Sequence, residues 1–283
     1  MWGKYKKIGN LGGKVKTLSQ ISIKKFNKYG VALVRDAFSP EWIADLRIGL
    51  DYNLANPSKF HKQYTPAQRS GGFFGDYCNW QKIVQFENFI KNSPASKIAK
   101  ELMGSKKVNF FHEHVLVKEP GTEEKTPWHH DQPYYCVNGR DNVSLWVPLD
   151  PVPKSRGLEF IAGSHKWDVW YNPKKFIGMD YKKSDDKFQK IPNFDKIRDR
   201  YKILAFDLRL GDCIAFHFKT VHGARGNSSS RVRRRAISWR WTGDDATFAI
   251  RKGEMSPPFT DFKDCNLRPG EPLDSKLFPL IHC

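Results

Sequence analysis

No stretch of this 283-residue chain approaches the roughly eighteen consecutive apolar residues of a membrane-spanning helix, so none is expected. Met1 is followed by lysines rather than an apolar segment. A secretory signal is therefore not expected, and a soluble, cytoplasmic protein is the default reading. Cysteine is sparse and unpaired in pattern: Cys78, Cys136, Cys213, Cys265 and Cys283 make an odd total with no CxxC, which suits reduced thiols and not a zinc site built from them. The helical HExxH of many zinc hydrolases is missing, and no internal repeat is apparent. Acid is also in deficit, with 30 Asp and Glu against 48 Lys and Arg, a net charge of +18.

What is present is a core. Hydrophobic residues make up 39% and aromatics 14%, too apolar for a disordered chain, and the length suits one large β domain with helical additions. The basic surplus admits nucleic acid, a membrane surface or an anionic substrate. It is spread over residues 1–30, over Lys174 to Lys190 and over Arg231 to Arg235, and diffuse lysine of this kind reads as solvated surface.

Along the chain, residues 1–17 read as an irregular basic arm and 18–283 as a single domain with a helical part over about 18–104, a β core over about 106–245 and a C-terminal tail on it. Gly30 suits the stop of a short helix from Ser19, and Val31–Val34 reads as a strand. Ser39-Pro40 suits the start of a helix running to about Asn53, with Trp42, Ile43, Leu46 and Leu50 on one face. Residues 57–76, rich in Gly and Pro and ending in aromatics, suit a mobile lid, and two short helices fill Gln85–Met103. Strands are expected over Phe110–Lys118, Asn142–Leu149, Gly157–Ile161, Cys213–Phe218 and Arg233–Trp241, with a lysine-rich insertion over Asn172–Arg200. Many short strands between turns suggest a mainly β sandwich or barrel with N-terminal α-helices outside.

The chemistry gathers at Thr126-Pro-Trp-His-His-Asp-Gln-Pro-Tyr-Tyr135. In an extended segment His129 and Asp131 share a face while His130 points away, toward packing or support. His222, after the Cys213–Phe218 strand, can supply a third ligand, and two histidines with one carboxylate leave open positions on a non-haem Fe(II). Arg234 on the returning strand shares a face with Ala236 and Ser238, and a guanidinium beside small residues makes a bidentate partner for a carboxylate. His112 and His114 alternate onto one inward face of their strand.

These features together resemble the phytanoyl-CoA dioxygenase family of Fe(II)- and 2-oxoglutarate-dependent oxygenases. The resemblance rests on Pro127–Tyr134, Ser144–Leu149, Gly157–Lys166, Gly211-Asp212, His222-Gly223, Arg234–Ser238 and the tail Leu267–Phe278. It implies a double-stranded β-helix, a cupin-like jelly roll, in which His129, Asp131 and His222 hold iron. By the same resemblance Arg234 binds the distal carboxylate of 2-oxoglutarate, with Trp146 and Ser238 lining that site, and O2 is the co-reactant. The step from His222 to Arg234 is twelve residues, one longer than the family pattern, which leaves Arg233 as a second candidate. Asp131 stands where halogenating members have a small residue, so the resemblance implies hydroxylation with release of succinate and CO2. Phe73, Asp76, Trp80, Tyr134, Trp239 and Arg240 are candidates for contact with a small-molecule substrate, and the basic surplus hints that it is anionic.

Three rivals stand beside this reading. A zinc hydrolase would use a similar donor set but gives no reason for Arg234. A metal-binding barrel without turnover would need no clamp either. A nucleic-acid-binding protein would explain the charge, but no binding motif interleaves the lysines with aromatics. The sequence does not disclose an oligomeric state.

Overall fold

The computed structural model describes residues 18–174, 185–261 and 265–282. The basic arm and the centre of the lysine-rich insertion, residues 175–184, lie outside the described residues. The elements in chain order are α1 (Gln20–Tyr29), β1 (Val31–Val34), α2 (Pro40–Ala55), β2 (Lys62–Gln63), β3 (Phe73–Tyr77), α3 (Val84–Asn92), α4 (Ala95–Met103), β4 (Val108–Lys118), β5 (Thr126–His129) and β6 (Val137–Asn138). They continue with β7 (Asn142–Pro148), β8 (Leu158–Ile161), β9 (Ile203–Ala205), β10 (Cys213–Phe216), β11 (His222–Ala224), β12 (Arg234–Thr242), β13 (Thr247–Phe248) and β14 (Leu280–His282). The chain is mainly β, and its described strand pairings are antiparallel except for one isolated parallel bridge, Tyr171 to Gln189.

A large sheet runs β1-β10-β7-β12-β4-β3-β2, with β14 also pairing with β4, and a smaller one runs β5-β11-β8-β9. Side chains from both sheets meet in one apolar cluster, including Val31, Trp146, Ile214, Phe216 and Ala236 from the large sheet and Leu158, Phe160 and Ala224 from the small one. Two antiparallel sheets closed over a shared interior make the expected jelly roll.

The other face of the large sheet is covered by the helices. Ser39 stands at the start of α2 with extended dihedrals, although its side chain makes no capping bond; Pro40 presets the first turn. Trp42, Ile43, Leu46 and Leu50 are all buried. They join a core in which Trp239 of β12 packs at a tilt 4.6 Å from Phe89 and meets Phe86 edge-on at 5.4 Å. α1 and α4 end on Gly30 and Gly104 at φ 73° and 71°, left-handed positions that glycine adopts without strain.

Part of the expected lid over residues 57–76 is sheet, at 62–63 and 73–76. Residues 73–77 form β3, paired with β4 from Phe73–Lys118 to Tyr77–His114, and β2 pairs back onto it. Gly75 serves close packing and not a turn: a Cβ there would meet the Tyr64 ring at 2.8 Å. Asp76 ties the preceding loop down, accepting from Ser58 N (2.8 Å), Ser58 Oγ (2.6 Å) and Asn53 Nδ2 (2.9 Å).

In the connection between β10 and β11, His217 uses both ring nitrogens in its neutral form. Nε2–H donates to Arg140 O at 2.9 Å, and Nδ1 accepts from Lys219 N at 3.0 Å. Burial, then the neighbouring His165, pulls its pKa down to about 3. Because the folded value lies below the unfolded one of about 6.5, its contribution is present above that pH and lost as pH falls toward 3. Urea midpoints are therefore expected to fall below pH 6.5, and less steeply in His217→Asn, whose amide oxygen can replace Nδ1 as acceptor. Identical slopes in the two proteins would contradict this.

Candidate active site

His129 closes β5 and His222 opens β11, and antiparallel pairing makes them cross-strand partners. Direct partners stand close enough for their side chains to meet, and the ring centroids are 4.2 Å apart. The extended segment envisaged from the sequence stops at His129. Asp131 turns back in a helical conformation (φ −78°, ψ −39°), with its amide anchored to Phe218 O at 2.8 Å. This turn still brings its carboxylate to the histidines, with Oδ1 at 3.4 Å from His129 Nε2 and 4.0 Å from His222 Nε2. One ligand atom from each of the three residues lies within 4.8 Å of the other two, and all three residues are buried.

The donor atoms fit a cation. His129 Nδ1 faces Pro127 O at 2.8 Å and His222 Nδ1 faces Thr220 O at 2.9 Å. A carbonyl only accepts, so each Nδ1 carries a proton and Nε2 is the atom each ring presents for coordination. Asp131 Oδ2 is buried without a hydrogen-bond partner, while Tyr134 donates its hydroxyl to Oδ1. Burial alone would raise the Asp131 carboxyl. The His129 hydrogen bond, the Arg240 guanidinium and His222 outweigh it and hold the group well below the usual carboxylate range. Burial, then His129, pulls His222 down to about 3, so that ring is neutral at pH 7. Two imidazoles and one carboxylate suit Fe(II) with open positions.

The same histidines line a cavity between the sheets, together with Phe73, Leu116, Thr126, Trp146, Leu158, Phe216, Ala224, Arg234, Ser238 and Arg240. Strand alternation explains the β12 contribution: Arg234, Ser238 and Arg240 share one face, and Ser238 is the cross-strand partner of Trp146. Arg234 is buried and donates through Nη1 to Arg156 O and Arg225 O. Burial, then Arg156, lowers its pKa to about 10, so it remains a cation at neutral pH. Arg233 points outward and forms a two-pronged pair with Glu119. Of the two arginine candidates, Arg234 is the one at the cavity.

The remaining candidates divide. Tyr134 touches Asp131, and Arg240 Nε lies 3.8 Å from Asp131 Oδ2. His112 and His114 are buried on the interior face of β4, opposite Arg240 and Ser238 respectively. Three of the candidates do not line the cavity. Asp76 spends its carboxylate on the loop hydrogen bonds given above, Trp80 packs edge-on against Phe110 at 5.8 Å, and Trp239 faces the helices, one residue out of phase with Ser238. His130 turns away from the triad and accepts the Tyr171 amide at 2.9 Å through Nε2. His130→Ala is therefore expected to leave Fe(II) affinity within about threefold while exposing the Trp170–Tyr171 segment to protease; a loss of metal on the scale of losing a direct ligand would contradict its placement. Missed from the sequence were Thr126, Leu116, Leu158, Phe216 and, beneath Arg234, the buried Lys118.

A jelly roll enclosing two histidines, a carboxylate and a buried arginine defines the class of non-haem iron oxygenases that use an oxo-acid cosubstrate. The profile of the phytanoyl-CoA dioxygenase (PhyH) family matches residues 26–236, and the chain belongs to that family, whose cofactors are Fe(II) and 2-oxoglutarate. Among solved structures, the chain is similar to SnoK, a non-haem α-ketoglutarate-dependent carbocyclase from nogalamycin biosynthesis, with TM-score 0.73, 21% identity and coverage of 95% of this chain and 100% of that one. The epimerase SnoN, solved with Fe3+, α-ketoglutarate and nogalamycin RO, gives TM-score 0.72 at 20% identity, covering 93% and 98%. EctD from S. alaskensis, solved with 2-oxoglutarate and 5-hydroxyectoine, gives 0.67 at 17%, covering 94% and 89%. At these identities the likeness establishes the fold. No curated protein sequence matches the chain. No helix among the described residues is long and apolar enough to cross a membrane.

Proposed function

We propose that the protein is an Fe(II)- and 2-oxoglutarate-dependent hydroxylase of a small, anionic metabolite, acting as one oxygenase domain over residues 18–283 and releasing succinate and CO2. One observation carries the reading: a ligand atom from each of His129, Asp131 and His222 lies within 4.8 Å of the other two, and both histidines line the cavity that Arg234 also lines.

In this reading His129, Asp131 and His222 hold the metal and Arg234 takes the distal carboxylate of 2-oxoglutarate, with Trp146 and Ser238 shaping the wall between them. Bound iron and cosubstrate supply the oxidising chemistry. The protein's own part is to fix three ligands, to seat the cosubstrate with a charge-assisted bond and to exclude water. Tyr134 and Arg240 position Asp131 from either side. Asp131 occupies the ligand position in full, which favours hydroxylation over halogenation. SnoK and SnoN are described as a carbocyclase and an epimerase, so product analysis has to accompany turnover. The basic surplus favours a carboxylate, phosphonate or phosphate ester as substrate. A metabolite-library screen for substrate-stimulated succinate release tests the proposal. The expected hit is an anion gaining one oxygen atom, and a hit rearranged without added oxygen would overturn the hydroxylase assignment.

A further inference from the structure

Lys118 ends β4 with no exposed surface, a placement in which lysine is rarely found without an acidic partner. Its Nζ donates to Glu124 O at 2.6 Å and Arg225 O at 3.1 Å and stands 4.3 Å from the centre of the Phe73 ring. Arg234, its cross-strand partner on β12, donates to that same Arg225 carbonyl at 3.2 Å. Two buried basic groups therefore flank one carbonyl.

The acids nearby are engaged elsewhere. Glu124, in the loop after β4, accepts from Thr65 Oγ1 at 2.8 Å and from Arg69. Glu119, next in the chain, pairs with Arg233, and Glu159 pairs with Arg198 and Arg225. The Arg156 guanidinium bonds Asn227 Oδ1. Among the described residues no carboxylate forms an ion pair with Lys118 or Arg234. Carbonyl dipoles satisfy the hydrogens but supply no counter-charge, so the pair holds one charge and a second only at a cost.

We propose that Lys118 is the second cation of the cosubstrate site, which receives the distal carboxylate of 2-oxoglutarate as the shared counter-ion of Lys118 and Arg234 and takes up a proton on Lys118 as it does so. The proposal rests on the reading of Arg234 as the cosubstrate arginine. Phe73, which lines the cavity, separates Lys118 from the open space, so Lys118 acts through the field at Arg234 and is a positioning residue. Burial, then the Arg234 charge, holds the Lys118 ammonium well below its ordinary range, with Glu124 opposing weakly. An arriving carboxylate reverses part of that shift, and by linkage the proton must come from solvent. The sign is fixed: the bound-state pKa lies above the free-state one, so affinity is full below the free-state pKa and declines as pH rises through the bound-state value.

Anaerobic calorimetry of 2-oxoglutarate binding to the Fe(II)-loaded protein, at pH 7.5–9.5 in buffers of different ionisation heat, tests this. The expected result is proton uptake that grows with pH toward about one per 2-oxoglutarate. Lys118→Met should abolish the uptake and weaken binding about tenfold or more, since each unit of pKa rise is about tenfold in affinity. Lys118→Arg, permanently charged, should bind within about threefold of the parent without uptake. Uptake that persists in both variants, or is missing in the parent, overturns the proposal. Failure of the parent to bind 2-oxoglutarate at all overturns the Arg234 reading as well, whereas binding with a Lys118-independent proton count removes Lys118 alone.

Discussion

Asp131→Ala is expected to reduce 2-oxoglutarate-dependent succinate release by at least about a thousandfold, because loss of a mere outer-shell partner already costs ~10–100-fold at such sites. The carboxylate supplies the one anionic ligand of the triad, and no other carboxylate lies among the three residues that converge there. The variant should remain folded but less stable. Arg240, buried 3.8 Å from Asp131 Oδ2, loses its compensating charge, and stranding a buried ion costs roughly 3–5 kcal/mol. Asp131→Asn, which keeps the shape, separates the two effects. Undiminished succinate formation in a folded Asp131→Ala protein would remove Asp131 from the metal site.

Arg234→Ala is expected to raise the KM for 2-oxoglutarate by about ten- to a hundredfold, the worth of a hydrogen bond to a charged group at roughly 1.5–3 kcal/mol. Arg233→Ala should change it less than about twofold. Arg233 spends its guanidinium on Glu119 at a largely solvated site, and such pairs contribute ~0–1 kcal/mol to stability. The two neighbours thus make an internal control, since they share sequence context and differ in the face of β12 they occupy. Steady-state titration of 2-oxoglutarate reads the difference, and the reverse order of effects would move the clamp to Arg233.

The sequence carried the site further than it carried the loops. His129, Asp131 and His222 were legible because few other roles bring those residue types together after strands, although the geometry differed in detail. Strand alternation was invoked for Asp131, whereas a helical turn after His129 delivers it. The choice between Arg233 and Arg234 was not decidable from spacing and needed the register of β12 against β4 and β7. Trp239 faces the helices for the same reason: it lies one residue from Ser238, and in a strand one residue is the whole difference between cavity and core. Residues 57–76, rich in Gly and Pro, suit a lid, but Gly75 near their end relieves crowding within a sheet. Lys118 was invisible as a site residue because nothing local marks a lysine at a strand end as buried; its cross-strand pairing with Arg234 does. The positions of the helices followed from patterning alone, since the apolar face of α2 and the glycine stops of α1 and α4 are local signals.

Anaerobic addition of Fe(II) and then 2-oxoglutarate to the metal-free protein, followed by visible spectroscopy, tests the central claim most directly. Chelation of the oxo acid to iron held by His129, Asp131 and His222 should produce a weak charge-transfer band that saturates at one equivalent of each and is missing in Asp131→Ala. A folded protein that binds Fe(II) and gives no such band would contradict the assignment of this site as an iron and 2-oxoglutarate centre.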